Sequence, residues 1–314
     1  LNREIFREYD IRGRVDKDLT DDVARDIGRA FATYMKERGK TRASVGRDGR
    51  LSSEHLRDVL VEGMTQGGLS VTDVGLCPTP LFYFSLFKLP VDGGVMVTGS
   101  HNPPEFNGFK VAFGRGTIFG PQIQEMRTII EEKRFSAGKG SVTVQEGLLD
   151  EYYQFLRENI HLARPLKVVV DAGNGTAGAV AVPIYREMGV DVVELFCDID
   201  GTFPNHFPDP TVEKNLLPLR EKVVEVKADL GIGFDGDGDR IGVVDEQGGI
   251  IWGDYLMMIF ARQVLKEHPG ASFVSEVKCS KNLFEDIERR GGTAIMWKAG
   301  HSLIKQKMRE TGAL

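Results

Sequence analysis

Three aspartates stand at alternate positions in Asp235-Gly-Asp-Gly-Asp-Arg240, directly after an apolar run, 230–234, that reads as a strand. Carboxylates so near one another repel unless a cation lies among them, and the intervening glycines let the backbone turn tightly enough for their oxygens to converge. A small set of hard oxygen ligands suits Mg²⁺, with a phosphate or water oxygen completing the shell. The spacing of Asp235, Asp237, Asp239 and Glu246 also fits a calcium loop of the EF-hand type. That reading fails, because Arg240 stands where such a loop needs Gly and the flanking runs, 241–244 among them, have strand character.

The second chemical candidate is Ser100. Val95-Met-Val-Thr-Gly-Ser-His-Asn-Pro-Pro104 runs from a buried strand into a turn. Gly99, Asn102 and the two prolines fix that turn and hold the hydroxyl out at the strand end, where α/β proteins place chemistry. The G-x-S-x-G elbow of serine hydrolases is absent, since Asn102 occupies the place of its second Gly. His101 is the adjacent residue, and neighbours on a turn are not expected to face each other.

The elements that must position these loops follow an α/β pattern. Strands are expected at 43–46, 69–74, 94–98, 166–171, 190–196 and 230–234. Helices are expected at 53–67, 122–133, 179–188 and 254–264. Ser52 is placed to cap the first helix, whose apolar face carries Val59, Leu60 and Met64. The stretch 134–147, rich in Gly, Ser and Lys, reads as a linker. The resulting division is 1–146, 147–249 and 250–314, three α/β units with mixed sheets around a central active-site cleft.

Composition narrows the function classes. A net charge of -6 argues against nucleic acid as a partner, because phosphate backbones are gripped by an excess of Lys and Arg. Cys77, Cys197 and Cys279 lack CxxC pairing, which argues against a zinc site and for a reduced, cytoplasmic compartment. No stretch reaches the roughly 18 apolar residues of a membrane helix, and the charged opening residues lack a signal-peptide core.

Several motifs have competing readings. Asp198-Ile-Asp-Gly-Thr202 resembles the nucleophile motif of haloacid-dehalogenase-type phosphatases, with a structural turn as the alternative. Gly173-Asn-Gly-Thr-Ala-Gly178 with Glu194 satisfies a dinucleotide fingerprint, although glycines there serve close helix–strand packing equally well. Arg47-Asp-Gly-Arg50 reads as a turn with structural ion pairs, phosphate contact being the alternative.

Taken together, Thr98-Gly-Ser-His-Asn-Pro103 and Asp235-Gly-Asp-Gly-Asp-Arg240 resemble the phosphoserine and metal loops of the α-D-phosphohexomutases. Tyr9-Asp-Ile-Arg-Gly13, Asn107-Gly-Phe-Lys110, Gly201-Thr-Phe-Pro-Asn-His-Phe-Pro-Asp-Pro210 and Gly300-His-Ser302 resemble further segments of that family, in its order. Val277-Lys-Cys279 and Met296-Trp-Lys-Ala-Gly-His-Ser302 point to its bacterial phosphomannomutase/phosphoglucomutase branch.

The resemblance implies an isomerase that interconverts hexose 1-phosphate and hexose 6-phosphate through phosphorylated Ser100 and a hexose 1,6-bisphosphate. Mg²⁺ would be held by Asp235, Asp237, Asp239 and a phosphate oxygen on Ser100, with Arg240 steadying the same oxygens. Lys110 is expected to do general acid/base work, its pKa lowered by neighbouring cations, while His101 orients the phosphoserine. Tyr9, Arg12, Lys278 and His301 are expected to contact the phosphosugar. A non-catalytic sugar-phosphate-binding paralogue is the reading of another class, and the presence of Ser100, Lys110 and all three aspartates argues against it. The resemblance also leads one to expect a sugar-recognition loop and a fourth domain beyond Leu314.

Overall fold

The computed structural model describes residues 1–314, the side chain of His301 excepted. The chain forms two compact units, Leu1–Gly248 and Gly249–Leu314.

The first unit opens with β1 (Ile11–Arg14), α1 (Asp21–Lys36), β2 (Arg42–Arg47), α2 (Ser53–Gln66), β3 (Ser70–Leu76), α3 (Thr79–Lys88), β4 (Gly93–Val97), β5 (Phe106–Phe113), β6 (Gly116–Thr117), α4 (Pro121–Glu131), β7 (Ser141–Val144) and α5 (Leu148–Asn159). Its sheet runs β1-β5-β4-β2-β3-β7, with β6 on β5. β4, β2, β3 and β7 are parallel, and β5 is antiparallel to both β4 and β1. Apolar side chains fix this layering. Ile27, Phe31 and Tyr34 of α1 and Leu60 and Met64 of α2 pack on Val45, Val95 and Phe109 of the sheet in one core. Leu81, Phe82 and Leu86 of α3 form a second core with Cys77, Met96 and Leu148.

Two expectations are corrected here. The stretch read as a linker contains β7, whose residues Ser141 to Val144 pair in register with Ser70 to Asp73. Ser52 does not cap α2 with its side chain. Its hydroxyl instead accepts from Asn107 Nδ2 at 2.8 Å, so the residue tethers β5 rather than the helix.

The second sheet of this unit is built from β8 (Lys167–Asp171), β9 (Asp191–Leu195), β10 (Leu230–Phe234) and β11 (Ile241–Asp245), with α6 (Gly178–Glu187) and α7 (Leu217–Val226). β8 lies parallel between β9 and β10, and β11 returns antiparallel on β10. Val168, Val170, Val182 and Val192 form its core with Leu230, Ile232 and Phe234. The acidic sequence is the turn between β10 and β11.

The second unit comprises β12 (Ile250–Ile251), α8 (Gly253–Glu267), β13 (Ser272–Glu276), α9 (Lys281–Arg289), β14 (Thr293–Trp297) and α10 (His301–Thr311). β13 and β14 are parallel over a core that includes Met258, Leu265, Phe273, Leu283 and Ile287. The mixed α/β layering expected from the sequence is present in both units. No helix among the described residues is long and apolar enough to cross a membrane.

Candidate active site

The serine loop leaves β4 after Val97 and re-enters the sheet at Phe106. Ser100 is buried, and its φ of +51° lies in the left-handed region that residues with a Cβ seldom occupy. Its N–H donates to Thr98 Oγ1 at 2.8 Å, and its hydroxyl donates to Asp235 Oδ2 at 2.7 Å. His101 Nδ1 lies 3.0 Å from the same hydroxyl. Adjacent side chains therefore do meet, contrary to expectation, because the left-handed turn at Ser100 redirects the chain between them. Burial, followed by the charge of Arg240, pushes the His101 pKa down to about 4, so this imidazole is neutral near pH 7.

The acidic loop approaches from the second sheet. Asp235 Oδ1 accepts the N–H groups of Asp239 and Arg240 at 2.9 and 3.0 Å. A Cβ at Gly236 would collide with the Ser100 carbonyl oxygen, so glycine at that position is what lets the two loops touch. Asp237 Oδ2 accepts from Thr79 Oγ1 and from Lys110 Nζ, each at 2.6 Å, and Lys110 also reaches Asp239 Oδ2 at 2.6 Å.

The charges of this cluster set one another. Burial, reinforced by Asp237 and Asp239, holds the Asp235 pKa well above the usual carboxylate range. Burial acts the same way on Asp237, but the Lys110 ammonium outweighs it and holds this carboxyl below its ordinary value. Burial alone would lower Lys110. Asp237 and Asp239 overcome that and raise it, which corrects the expectation of neighbouring cations: the groups around Lys110 are anions.

Whether these residues suit a metal is answered by one atom. Asp237 Oδ1 is buried and has no hydrogen-bond partner. An unsatisfied carboxylate oxygen is costly in a protein interior, and here Asp235, Asp237 and Asp239 each offer an oxygen within 4.8 Å of the others. The three fit a hard divalent cation.

The remaining candidates are placed unevenly. Arg12, buried on β1, donates from Nη1 to Asn102 Oδ1 at 2.7 Å and from Nη2 to Asp10 Oδ2 at 2.6 Å, which brings its charge to the serine loop. Tyr9 is half-buried just before β1, and the Arg240 side chain is exposed. Lys278 belongs to the second unit, exposed, with Nζ 3.6 Å from Glu276. The side chain of His301 lies outside the described residues.

Sequence reasoning passed over Thr79 and read Arg50 only as part of a turn with structural ion pairs or phosphate contact. Thr79, at the start of α3, holds Asp237. Arg50 sends all four terminal N–H directions into the serine loop. Nη1 donates to the carbonyls of Pro103 and Phe106 at 2.7 and 3.0 Å, and Nη2 to those of Ser100 and Asn102 at 2.8 and 2.5 Å. No terminal N–H of Arg50 is left for a phosphate, which favours the structural reading of this arginine. The signal available was a charge-dense turn at the end of a parallel strand.

The look-alike motifs are also resolved. The turn 173–178 is filled by protein: a Cβ at Gly175 would lie 2.6 Å from the Gly236 carbonyl oxygen, to which Thr176 N–H donates at 3.1 Å. It buttresses the acidic loop where a dinucleotide would need open space. Asp200 accepts from Thr202 N–H and Oγ1 at 2.9 and 2.7 Å, a local turn. Among the described residues, the only cluster of three metal-ligating side chains is Asp235, Asp237 and Asp239, and Asp198 is not part of it.

Comparison with known proteins covers nearly the whole chain. The phosphoglucomutase/phosphomannomutase family models for α/β/α domains I, II and III match residues 3–137, 150–249 and 252–314. A phosphomannomutase/phosphoglucomutase of Pseudomonas aeruginosa is 48% identical over 314 residues, covering 100% of this chain and 68% of that protein. A phosphoglucomutase of Neisseria meningitidis serogroup A is 48% identical over 316 residues, again covering 100% of this chain and 68% of the relative. The crystal structure of a phosphoglucomutase/phosphomannomutase family protein from Burkholderia thailandensis superposes with a TM-score of 0.97 at 46% identity, covering 100% of this chain and 70% of that one.

Proposed function

Because this chain belongs to the phosphoglucomutase/phosphomannomutase family, we propose that it interconverts the 1-phosphate and 6-phosphate of a hexose, glucose or mannose, through phosphorylated Ser100 and a hexose 1,6-bisphosphate. The observation that carries this reading is the buried Ser100 hydroxyl, hydrogen-bonded to Asp235 at the edge of the aspartate cluster.

In the first transfer the bond between Ser100 Oγ and phosphorus breaks as a free sugar hydroxyl oxygen bonds to that phosphorus. The sugar hydroxyl gives up its proton, and Ser100 Oγ recovers one. The bisphosphate then turns end for end and returns its other phosphoryl group to Ser100. Asp235, Asp237 and Asp239 would hold Mg²⁺ with an oxygen on Ser100, and such an ion offsets the negative charge on the phosphoryl oxygens.

This chain's own groups supply the rest. Lys110 enters as an ammonium, the form that can donate a proton, because Asp237 and Asp239 keep it charged. Neutral His101 orients the Ser100 oxygen through Nδ1. Arg240 steadies phosphoryl oxygens, and Tyr9 and Arg12 contact the phosphosugar. Burial of Ser100 limits loss of its phosphoryl group to water.

The test is conversion of glucose 1-phosphate, and separately mannose 1-phosphate, with Mg²⁺ and a trace of glucose 1,6-bisphosphate. In the full-length protein, turnover should vanish in Ser100→Ala while the thermal melt is retained. Turnover surviving in Ser100→Ala would overturn the proposal.

A further inference from the structure

Arg50 is a buried arginine that the chemistry above does not use, and its surroundings account for it poorly as a simple core residue. Its side chain is 1% exposed and its nearest countercharge, Asp48, is 2% exposed, with Nε and Oδ2 3.3 Å apart. Burying a charge pair this deeply is expensive, and apolar residues of similar volume fill a core as well or better. What the guanidinium does that no apolar residue could is collect four carbonyl oxygens of one loop: Ser100, Asn102, Pro103 and Phe106.

The rest of the turn serves the same contact. Asp48 Oδ1 accepts from Arg50 N–H at 3.1 Å and from Ser53 Oγ at 2.5 Å, while Asp48 Oδ2 accepts from Gly99 N–H at 3.2 Å. The pair thus holds the serine loop from both of its polar sides. Phe203 lies against the guanidinium, its ring centroid 5.0 Å from Cζ. A Cβ at Gly99 would collide with the guanidinium, so the loop is pressed onto Arg50 as closely as the backbone allows.

Ser100 itself supplies the reason such a clamp is required. Its left-handed backbone is costly for a residue with a Cβ, and strain of that kind persists only where the surroundings impose it. One of the four captured carbonyls is that of Ser100.

We propose that Arg50 is a positioning residue for phosphoryl transfer: by binding these four carbonyls it holds Ser100 in the left-handed conformation that aims Oγ at the aspartate cluster. Arg50 touches neither substrate nor phosphate and acts through the loop. The proposal rests on the reading of Ser100 as the phosphoryl carrier, and the two are tested by different variants.

The experiment follows phosphate appearing on Ser100 by rapid quench and intact mass, with Mg²⁺ and increasing glucose 1,6-bisphosphate. Ser100→Ala should take up no phosphate; uptake there would sink the carrier reading and, with it, the role of Arg50, whereas the Arg50 variants test that role alone. Arg50→Lys keeps the charge beside Asp48 but loses the planar fork that reaches four carbonyls. The saturating rate should fall about 100-fold, the scale expected when a reacting atom is misplaced by about 1 Å. The half-saturating bisphosphate concentration should stay within about threefold, as for a residue outside the binding site.

Arg47→Lys is the control, since Arg47 lies on the same turn and pairs with Glu54 at 3.3 Å; its rate should be unchanged. Should Arg50→Lys fail to fold, Arg50→Gln with Asp48→Asn removes both buried charges together and retains neutral donors, and the same loss of saturating rate is expected. A normal saturating rate in either folded variant would overturn the proposal. So would a rate lost wholly through weaker bisphosphate binding, because Arg50 would then be acting on the ligand.

Discussion

The two loops that meet at Ser100 are held in opposite ways. The turn of the acidic loop is closed largely by its own residues, even though Thr79, Lys110 and Thr176 also hold it: Asp235 Oδ1 takes the N–H groups of Asp239 and Arg240, Gly238 N–H donates to the Asp235 carbonyl at 3.0 Å, and Gly238 supplies a φ of +70°. The serine loop has tight turns of its own, with Asn102 N–H on the Gly99 carbonyl and Phe106 N–H on that of Pro103, both at 3.0 Å. Its carbonyls, however, converge on Arg50, a side chain 50 residues from Ser100. A loop whose geometry is local can be rebuilt from its own residues. One whose geometry is imposed from elsewhere loses it when a distant residue changes.

The strongest way to sharpen this contrast is Asp237→Asn. Asp237 and Lys110 form a buried pair, so weakening it should lower stability by about 3 kcal/mol. Mg²⁺ affinity should fall tenfold or more, at least about 1.4 kcal/mol, by calorimetric titration. Unchanged affinity would remove the aspartates from the metal site.

Backbone strain separates the loops next. Gly238→Ala forces a Cβ into a left-handed turn and should cost about 1–2 kcal/mol in a denaturant melt. At Ser100 the strain is already present, so Ser100→Gly should be more stable than Ser100→Ala by about 1 kcal/mol, reversing the usual order of these residues. Equal stabilities would mean that the serine loop relaxes freely.

The smallest effect lies behind the acidic loop. His206 Nε2 sits 3.0 Å from Asp171 Oδ2. Burial lowers the His206 pKa, but the hydrogen bond and charge of Asp171 outweigh it and leave it raised. Its contribution is therefore complete below the unfolded histidine pKa of about 6.5 and is lost as pH rises through the higher folded value. His206→Gln should lower the melting temperature more at pH 5.5 than at pH 8.5, the difference being no more than about 1 kcal/mol at a site partly open to water. An equal loss at both values would contradict the pairing.

Legibility in the sequence follows the same line between local and distant. The run 230–234 and the apolar face of α2 were readable, because each carries its periodicity in adjacent residues. β7 was not: all four of its residues are exposed, so no apolar face marks it, and only pairing with β3 makes it a strand. β5 was hidden by the prolines and the Asn107-Gly108 pair at its start, which resemble turn residues until Asn107 is tied to Ser52 and Ser53. Ser100 and the three aspartates were found from their own loops and from family resemblance. Arg50 and Thr79 act on partners far along the chain, and no spacing rule links them to those partners. The same holds for the charge on Lys110, whose sign of shift depends on two carboxylates from another sheet.

The central claim is that Ser100 carries a phosphoryl group beside a cation held by Asp235, Asp237 and Asp239. Incubation with glucose 1,6-bisphosphate and Mg²⁺, followed by intact mass and peptide mapping, tests it most directly. One acid-stable phosphate on the peptide containing Ser100, lost in Ser100→Ala and reduced when Mg²⁺ is removed, is the expected result. A hydroxylamine-labile phosphate on Asp198, or no phosphate on the protein at all, would contradict it.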